Sequence, residues 1–468
     1  MNSAKKNYIY NTAFNVLNML IPLVTAPYLA RMLGSAGVGT YTFYFSIAQY
    51  FTILAKMGLT NYGTRYIAAI RDDPATVKRE FTNLYVMQVG VTFVVSICYL
   101  CYVVWFAKEK GVAGIFGVWV LSVGFDIDWL LFALEDFKTA AVRNCFVKLM
   151  AAAAIILFVK GVSDIWKYAL ITTASYAGGY VFLWSKYKTC ISVKSIDRKT
   201  AVSHVKPCFI LMIPVIALTI YRTMDKVMLG MISNMSETGL YEYAEKLVYC
   251  LTTFISSLGA VMMPRMSNFI AKKDMKAVSV YMYGSMVFII FLSSGMCFGI
   301  AAISDSLIPL LYGAQFGGSV VLLKLLAVTL IFIAWGNVIR TQYVIPGKRD
   351  RIYIGSVTAG AVVNLLANAF LIPQYDAAGA CIGTICAEFS VLVFQAFFLH
   401  KELPYREYLE KTLPFVGIGL IMYAGCRWIE YRLGAGFFTM LIQILCGGAF
   451  YGGASYIYFK KVIKIKRH

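Results

Sequence analysis

Residues 208–233, "CFILMIPVIALTIYRTMDKVMLGMIS", form one of many long apolar runs in this chain. The run is long enough to cross a bilayer, because a hydrocarbon core of roughly 30 Å needs about 20 helical residues. Arg222, Asp225 and Lys226 interrupt it. A charged side chain near the middle of a membrane helix costs about 2.5–3.5 kcal/mol on insertion scales, so this segment is a candidate functional site.

The whole chain has the composition of a membrane protein. Of its 468 residues, 60% are hydrophobic and 14% are charged, and the mean hydropathy is +0.70. Soluble domains are nearer to half apolar and a quarter charged. Long apolar runs recur from end to end, whereas an outer-membrane barrel would show short alternating segments. The sequence therefore predicts an all-α polytopic membrane protein.

The apolar runs predict about fourteen transmembrane helices. A hydrophilic connection at 186–205, interpreted as a cytoplasmic linker, separates a six-helix bundle over 1–185 from a second one over 206–400. Residues 401–468 supply an extra helix pair and a basic cytoplasmic tail. The predicted spans are 8–32, 37–57, 82–106, 111–134, 142–160, 164–185, 206–232, 238–264, 280–303, 317–342, 351–372, 378–400, 412–430 and 435–458.

The net charge of +20 is distributed unevenly along the chain. Basic clusters such as "PGKRDR" (346–351) occupy every second connection, while "LGSAGVG" (33–39) and "QYDAAGA" (374–380) carry no Lys or Arg. The positive-inside rule explains this alternation and predicts that both termini are cytoplasmic. No nucleic-acid-binding motif accompanies the charge, so nucleic acid is not an expected partner.

The two predicted bundles share short features that indicate related halves. Gly39 and Tyr41 have counterparts in Gly239 and Tyr241, each pair following a span that ends in "LG". Transporters built from two repeats bind their substrate at the repeat interface, near the midplane of the membrane. The chain has no Walker A motif and no connection long enough for an ATP-hydrolysing domain. The expected driving force is thus an ion gradient or the substrate gradient.

Three motifs, in the same order along the chain, resemble those of one transporter family. They are "DIDWLLFALEDFKTAAVRN" (126–144), "YRTMDKVMLG" (221–230) with "ETGLYEYAEKL" (237–247), and "VVNLLANAFLIPQYDAAGACIGTICAE" (362–388). On these motifs the chain resembles the Wzx-like polysaccharide-biosynthesis flippases of the multidrug/oligosaccharidyl-lipid/polysaccharide exporter superfamily. The resemblance extends over essentially the whole length.

The resemblance implies two six-helix bundles that face each other across a central cavity and alternate between inward-open and outward-open states. It also implies a location in a bacterial plasma membrane. The implied substrate is an isoprenoid-pyrophosphate-linked oligosaccharide that is moved from the cytoplasmic to the outer leaflet for cell-surface polysaccharide synthesis. The chain is then expected to be a transporter and not an enzyme, with no cofactor. The expected partners are the lipid-linked substrate, membrane lipids and polysaccharide polymerase machinery, and the chain is expected to be a monomer.

The charged residues of span 206–232 fit an anionic substrate. Arg222 lies one helical turn from both Asp225 and Lys226, so the three residues are expected on one face with a net positive charge. We expect Arg222 and Lys226 to bind the pyrophosphate, Asp225 to orient them, and Arg31 to join them from the opposite bundle. Lys246 is a further candidate, although it lies near the end of its span and could instead reach the lipid headgroups. The structural alternative for the whole group is a buried ion-pair network that braces helix packing.

Other polar residues within the spans are candidates for sugar or ion binding. Asn15 and Asn18, with Asn364 and Asn368, could bind sugar hydroxyls, but such amides equally bridge neighbouring membrane helices. Asp128 and Glu388 are embedded carboxylates that could carry a coupling ion from a proton or sodium gradient, or could pair with nearby bases. No metal-ligand spacing is present in the sequence, and no metal site is expected.

Three other functions remain as alternatives at this point. A cation-coupled drug exporter of the same superfamily would need an acidic cavity, which the basic surplus in span 206–232 disfavours. A peptidoglycan-precursor flippase differs only in its substrate. A membrane glycosyltransferase or polymerase is disfavoured because the chain has neither a soluble catalytic domain nor an aspartate-rich loop.

Overall fold

A computed structural model describes the backbone of residues 3–465 and, within that range, the side chains of 21–22, 24–188, 190–192 and 194–461. Within residues 3–465 the regular elements are all helices, which confirms the all-α prediction. The α-helices are α1 (Ser3–Lys56), α2 (Leu59–Ala69), α3 (Pro74–Trp105), α4 (Lys110–Ser122), α5 (Asp128–Ala133), α6 (Phe137–Phe158), α7 (Ile165–Tyr187), α8 (Arg198–Ser203), α9 (Val205–Ile232), α10 (Met235–Ala271), α11 (Met275–Tyr312), α12 (Ser319–Ala327), α13 (Thr329–Ile339), α14 (Asp350–Leu399), α15 (Tyr405–Leu433) and α16 (Phe437–Ile465).

Ten helical segments in the described range are long and apolar enough to cross a membrane. Two of the longest helices contain a sharp change of direction. Helix α14 turns at Asp376 (φ 49°, ψ −130°), between the predicted spans 351–372 and 378–400. Helix α1 turns at Gly34 (φ 67°, ψ 175°), between the predicted spans 8–32 and 37–57. The polytopic helical class is therefore confirmed, whereas the count of about fourteen spans stays a prediction.

The chain forms two compact units that divide between Val227 and Met228. This division falls after the predicted linker at 186–205, because α9 up to Val227 is part of the N-terminal unit. Cys208 and Met212 of α9 are buried in the hydrophobic core that also contains Leu59, Phe81 and Trp129.

The backbone of α9 lies close to the turn between α1 and α2, at Gly58. Gly58 has a φ of +71°, a left-handed conformation that residues with a Cβ rarely adopt. A Cβ at this position would lie 2.4 Å from the carbonyl oxygen of Cys208 and 2.6 Å from the backbone nitrogen of Met212. A side chain therefore does not fit here, and glycine lets the backbone of α9 pack directly on this turn.

The connection before α9 is hydrogen-bonded to α3. The backbone N–H of Ser192 donates to the Thr82 hydroxyl at 3.0 Å, and that of Asp197 donates to the Asn83 side-chain oxygen at 2.8 Å. Since both acceptors lie near the start of α3, the predicted linker is held against the N-terminal unit.

In the C-terminal unit, α15 and α16 pack against α11. The Tyr451 hydroxyl of α16 donates to the carbonyl of Phe291 on α11 at 2.6 Å. One carboxylate oxygen of Asp305, also on α11, accepts from Lys324 at 2.5 Å and from Arg427 of α15 at 2.7 Å. The helix pair predicted over 401–468 is thus packed into the C-terminal unit.

Candidate functional site

Helix α9 carries the three charged residues, and Thr223 fixes its position against α1. The Thr223 hydroxyl lies 2.9 Å from the carbonyl oxygen of Thr219, one turn earlier, and 2.8 Å from the hydroxyl of Tyr50. Tyr50 is also close enough to Asp225 and Lys226 to interact with both electrostatically. The sequence reasoning missed Tyr50, since nothing in the local pattern relates a tyrosine of α1 to a threonine of α9.

The three charged side chains differ in burial. Asp225 is only 3% exposed, Lys226 is half-buried and Arg222 is exposed. The helical spacing is as predicted because α9 is continuous from Val205 to Ile232, but the Asp225 side chain is buried while the Arg222 side chain is exposed. This arrangement leaves the Arg222 side chain accessible to a ligand.

The other two predicted phosphate-binding residues lie in different units. Arg31 is exposed on α1, and Arg31 and Arg222 both belong to the N-terminal unit. They therefore do not come from opposite units as expected, because α9 up to Val227 packs with the helices before it.

Lys246 lies on α10 in the C-terminal unit and has local partners. Its ammonium is 3.2 Å from Glu242, one turn earlier, and 4.9 Å from the centre of the Tyr243 ring. These contacts favour a role in packing, and a role for Lys246 in substrate binding stays a prediction.

The four predicted sugar-binding amides lie on two helices, α1 and α14. The side chains of Asn15 and Asn18 lie outside the described residues. Asn364 and Asn368 are 1% and 0% exposed, and the Asn368 amide donates to the Asn364 oxygen at 3.3 Å. A Cβ on Gly383 would lie 2.1 Å from the Asn368 oxygen, so two segments of α14 meet at this amide. These contacts favour the helix-bridging interpretation, and sugar contact stays a prediction.

The embedded carboxylates of the N-terminal unit are paired with bases. Both oxygens of Asp128 contact the guanidinium of Arg143, with Nη2 to Oδ2 at 3.1 Å. Asp126 pairs with Lys56 at 2.6 Å. Sequence reasoning missed Arg143 and Lys56, although Arg143 lies within the quoted motif 126–144.

Ion coupling is therefore still a prediction for both candidate carboxylates. Asp128 has the basic partner that the alternative interpretation anticipated. Glu388 is half-buried on α14. Among the described residues, no group of three or more His, Cys, Asp or Glu side chains is arranged to hold a metal ion.

Comparison with known proteins places the chain in a family. Residues 4–270, more than half of the chain, match the family described as "Polysaccharide biosynthesis protein". The chain belongs to this family. The resemblance stated from the motifs is thereby confirmed.

Relatives of the chain include a putative transporter from a bacterium and a probable flippase from an archaeon. The putative O-antigen transporter of Escherichia coli K12 is 21% identical over 414 residues, which cover 86% of this chain and 97% of that protein. The probable low-salt glycan biosynthesis flippase Agl15 of Haloferax volcanii is 22% identical over 207 residues, which cover 43% of this chain and 42% of that protein.

Two solved structures share the fold. The lipid II flippase MurJ in an inward closed conformation has a TM-score of 0.73 at 15% identity and covers 97% of this chain and 100% of its own. An inward-facing multidrug resistance MATE family transporter of the MOP superfamily has a TM-score of 0.63 at 12% identity. The match covers 82% of this chain and 94% of the transporter. The ten apolar helices, together with the family match and the O-antigen transporter among the relatives, show that the chain is an integral membrane protein.

Proposed function

We propose that the chain is a flippase that moves isoprenoid-pyrophosphate-linked oligosaccharide repeat units from the cytoplasmic to the outer leaflet, for cell-surface polysaccharide synthesis. The family match, the O-antigen transporter and the glycan flippase among its relatives support this function. These relatives are transporters, in agreement with the expectation that the chain is not an enzyme.

The observation that carries the proposal is the exposed Arg222 on an otherwise apolar helix, beside the half-buried Lys226. A guanidinium hydrogen-bonds two phosphate oxygens through two parallel N–H donors, and an ammonium adds a compact point charge. Two bases in a membrane helix are costly to insert, and an anionic ligand that enters this environment would offset part of that cost. Asp225, buried on the same helix, orients the bases without neutralising both.

In the proposed cycle only the polar head group crosses the bilayer, while the isoprenoid tail stays among the lipids. The protein supplies polar partners to the head group and so lowers the desolvation cost that makes unaided crossing slow. The proposal includes alternating access of two bundles around a central cavity, about fourteen spans, cytoplasmic termini in a bacterial plasma membrane, and coupling to a proton or sodium gradient. It also includes a monomer that works beside polysaccharide polymerase machinery.

Neither transporter alternative has a specific observation in its favour. The likeness to the lipid II flippase and to the multidrug transporter is at 15% and 12% identity, so it concerns the fold alone. An exporter of cationic drugs would have to bind its substrate beside Arg222 and Lys226, where like charges repel it.

The test is transport by the purified chain in liposomes that contain a defined pyrophosphate-linked oligosaccharide. We expect Arg222→Gln to lower the initial rate at least about tenfold, since a hydrogen bond to a charged group contributes about 1.5–3 kcal/mol. The matched control is Arg198→Gln, which removes the same charge from an exposed position on α8 and should keep the wild-type rate. Parallel reactions with and without a proton or sodium gradient identify the coupling.

Three results would contradict the proposal. The first is no movement of the oligosaccharide by the wild-type chain under any gradient. The second is equal rates for the Arg222→Gln and wild-type proteins. The third is efflux of a cationic dye that is unchanged in Arg222→Gln, which would favour the drug exporter.

A further inference from the structure

A buried histidine lies at the junction between the connection 186–205 and α9. His204 is 4% exposed and directly follows α8. Its carbonyl oxygen accepts from the backbone N–H of Cys208 at 3.1 Å, in the first turn of α9. In the topology proposed above, this junction lies on the cytoplasmic side. Imidazole is a group whose charge changes near neutral pH, so the charge at the start of α9 can depend on the pH of the cytoplasm.

Side chains from two other helices contact the imidazole. The hydroxyl of Tyr62, on α2, lies 2.9 Å from Nδ1, and the carboxylate of Glu80, on α3, lies 3.4 Å from Nε2. The ring of Tyr66, also on α2, packs edge-on against the imidazole, with 5.1 Å between the ring centres. His204 therefore connects the start of α9 to both α2 and α3.

Glu80 supplies the negative charge of this cluster and is buried, at 4% exposure. One of its oxygens accepts from Arg79 Nε at 3.0 Å, and the other accepts from the Tyr66 hydroxyl at 3.2 Å. The Arg79 side chain is 59% exposed, so water screens its attraction to the carboxylate. The titratable groups in and around the cluster come from α2, α3 and α9: Tyr62, Arg65 and Tyr66, then Arg79 and Glu80, and finally Cys208.

The contact between His204 and Glu80 is longer than an ordinary hydrogen bond. Such bonds from nitrogen to oxygen measure about 2.7–3.2 Å, and among the described residues Nε2 of His204 makes none. A buried polar atom without a hydrogen bond is costly, and an imidazole that serves only packing would have both nitrogens satisfied. The pair is therefore placed to close when a charge on the imidazole strengthens the attraction.

The cluster accommodates the imidazole with one proton or with two. When the only proton is on Nε2, Nδ1 accepts from the Tyr62 hydroxyl. In the doubly protonated form Nδ1–H donates to the Tyr62 oxygen instead, because a hydroxyl can both donate and accept. Nε2–H then donates to Glu80 in a charge-assisted hydrogen bond, about twice as strong as a neutral one. Burial opposes protonation of His204, whereas the carboxylate favours it.

A stronger hold on His204 affects the whole of α9. This helix is continuous from Val205 to Ile232, and the two compact units divide between Val227 and Met228, so α9 contributes residues to both. Alternating access, as proposed above, requires α9 to adjust when the units move. Firmer attachment of its start to α2 and α3 opposes that adjustment.

We propose that His204, Glu80 and Tyr62 form a pH-sensitive latch that slows transport when the cytoplasm becomes acidic. Protonation of His204 closes the contact with Glu80 and fixes the start of α9. This contact is present below the imidazole pKa, ordinarily about 6.5, and is lost as the pH rises through it. His204 acts through α9 and not on the substrate, so it is a positioning residue. The assignment rests on the proposed flippase function, because the movement that the latch opposes is transport.

The experiment measures transport in liposomes while the pH of both sides is lowered from about 8 to about 5, a range that includes the ordinary imidazole pKa. The ion gradient is held constant, so the pH acts on the protein and not on the driving force. The rate should fall at least about threefold more for wild type than for His204→Gln, since hydrogen bonds to charged groups are the stronger ones. The glutamine amide can make both contacts of the imidazole but binds no proton.

The matched control is His400→Gln, because His400 is exposed on the connection after α14, where its ring contacts the carbonyl of Phe397. Its rate should fall with pH as the wild-type rate does. NMR of labelled imidazoles measures protonation directly, and the signal that is missing from His204→Gln should titrate between about pH 8 and pH 5. Glu80→Gln should make this imidazole harder to protonate, since the variant lacks the carboxylate that favours the charged form.

Two results would overturn the latch but not the flippase function. One is a wild-type rate that falls with pH no more than that of His204→Gln, and the other is a His204 signal that does not titrate in this range. Each protein is compared with itself across the pH range, so a lower overall rate in His204→Gln leaves the comparison valid. Failure of the wild-type chain to transport at any pH would instead overturn the flippase function, and the NMR titration would still show whether the cluster binds a proton.

Discussion

Replacing Gly58 by alanine tests whether close packing of α9 on the turn between α1 and α2 positions the charged helix. An alanine Cβ would lie 2.4 Å from the carbonyl oxygen of Cys208 and 2.6 Å from the nitrogen of Met212. Both are backbone atoms, so no side-chain rotation can relieve the contact, and α9 must move. The φ of +71° adds a second penalty, because alanine is unfavourable in this region.

The magnitude follows from these two terms. The left-handed conformation costs a non-glycine residue roughly 1–2 kcal/mol, and overpacking in a close-packed interior costs about 1–3 kcal/mol. Their sum is about 2–5 kcal/mol. One kcal/mol shifts the melting temperature of a unit of this size by about 2–4 °C, so Gly58→Ala should lower the melting temperature by at least about 4 °C. Transport should also fall, since the displaced helix carries Arg222.

The assay is thermal unfolding of the detergent-purified protein, followed by transport in liposomes. Gly178→Ala is the matched control, because Gly178 lies within α7 and a Cβ there would have no heavy atom within 4 Å. Alanine in a helix is favoured over glycine by about 0.5–1 kcal/mol, so this control should melt at or above the wild-type temperature. The reasoning would be refuted if the melting temperature of Gly58→Ala lay within roughly 1 °C of the wild-type value.

Two further predictions concern ion pairs. Burial opposes ionisation of Asp136, but hydrogen bonds from Lys186 (2.5 Å) and from nearby hydroxyls, with the backbone N–H of Thr139, hold its pKa well below the usual range. Its contribution to stability is thus present above the ordinary carboxyl pKa of about 3.9 and is lost as the pH falls further. Between about pH 7 and pH 3, a range that includes the ordinary carboxyl pKa, the melting temperature should fall more steeply for wild type than for Asp136→Asn. The Asp136→Asn variant is suitable because it keeps the side-chain oxygen that caps α6. Parallel curves for the two proteins would contradict this expectation. At Asp305, the partly exposed pair with Arg427 should give a coupling of about 0.5–1 kcal/mol in a double-mutant cycle of Asp305→Asn and Arg427→Gln. Strictly additive losses would exclude such coupling.

The local pattern of the sequence was sufficient to predict the fold class, an all-helical membrane protein. Apolar runs of bilayer length predicted helices, and the turns of α1 at Gly34 and of α14 at Asp376 fall between predicted spans. The charged residues Arg222 and Lys226 were recognisable for the same reason, since an ionisable group stands out in an apolar helix wherever the helix packs. The three motifs, taken together in their order along the chain, led correctly to the family.

The local sequence pattern did not predict which side chains form ion pairs with the embedded charges. Asp128 was recognised as an embedded carboxylate, but its contact with Arg143 and the contact of Asp126 with Lys56 depend on how separate helices pack. The expectation that Arg31 and Arg222 come from opposite halves also differs from the structure, since hydropathy marks where α9 lies in the chain but not which unit it packs against.

By itself, the sequence determined that this is a helical membrane protein of the polysaccharide biosynthesis family with bases on one apolar helix. Hydropathy and helical periodicity are local properties, and each can be read within about 20 residues. Only the tertiary structure decided that Asp225 is buried while Arg222 is exposed, and that Gly58 must lack a side chain. It also decided that a cavity of about 320 Å³ forms beside Lys56 and Arg143. These features arise where residues far apart in the chain meet, and such contacts depend on the packing of whole helices.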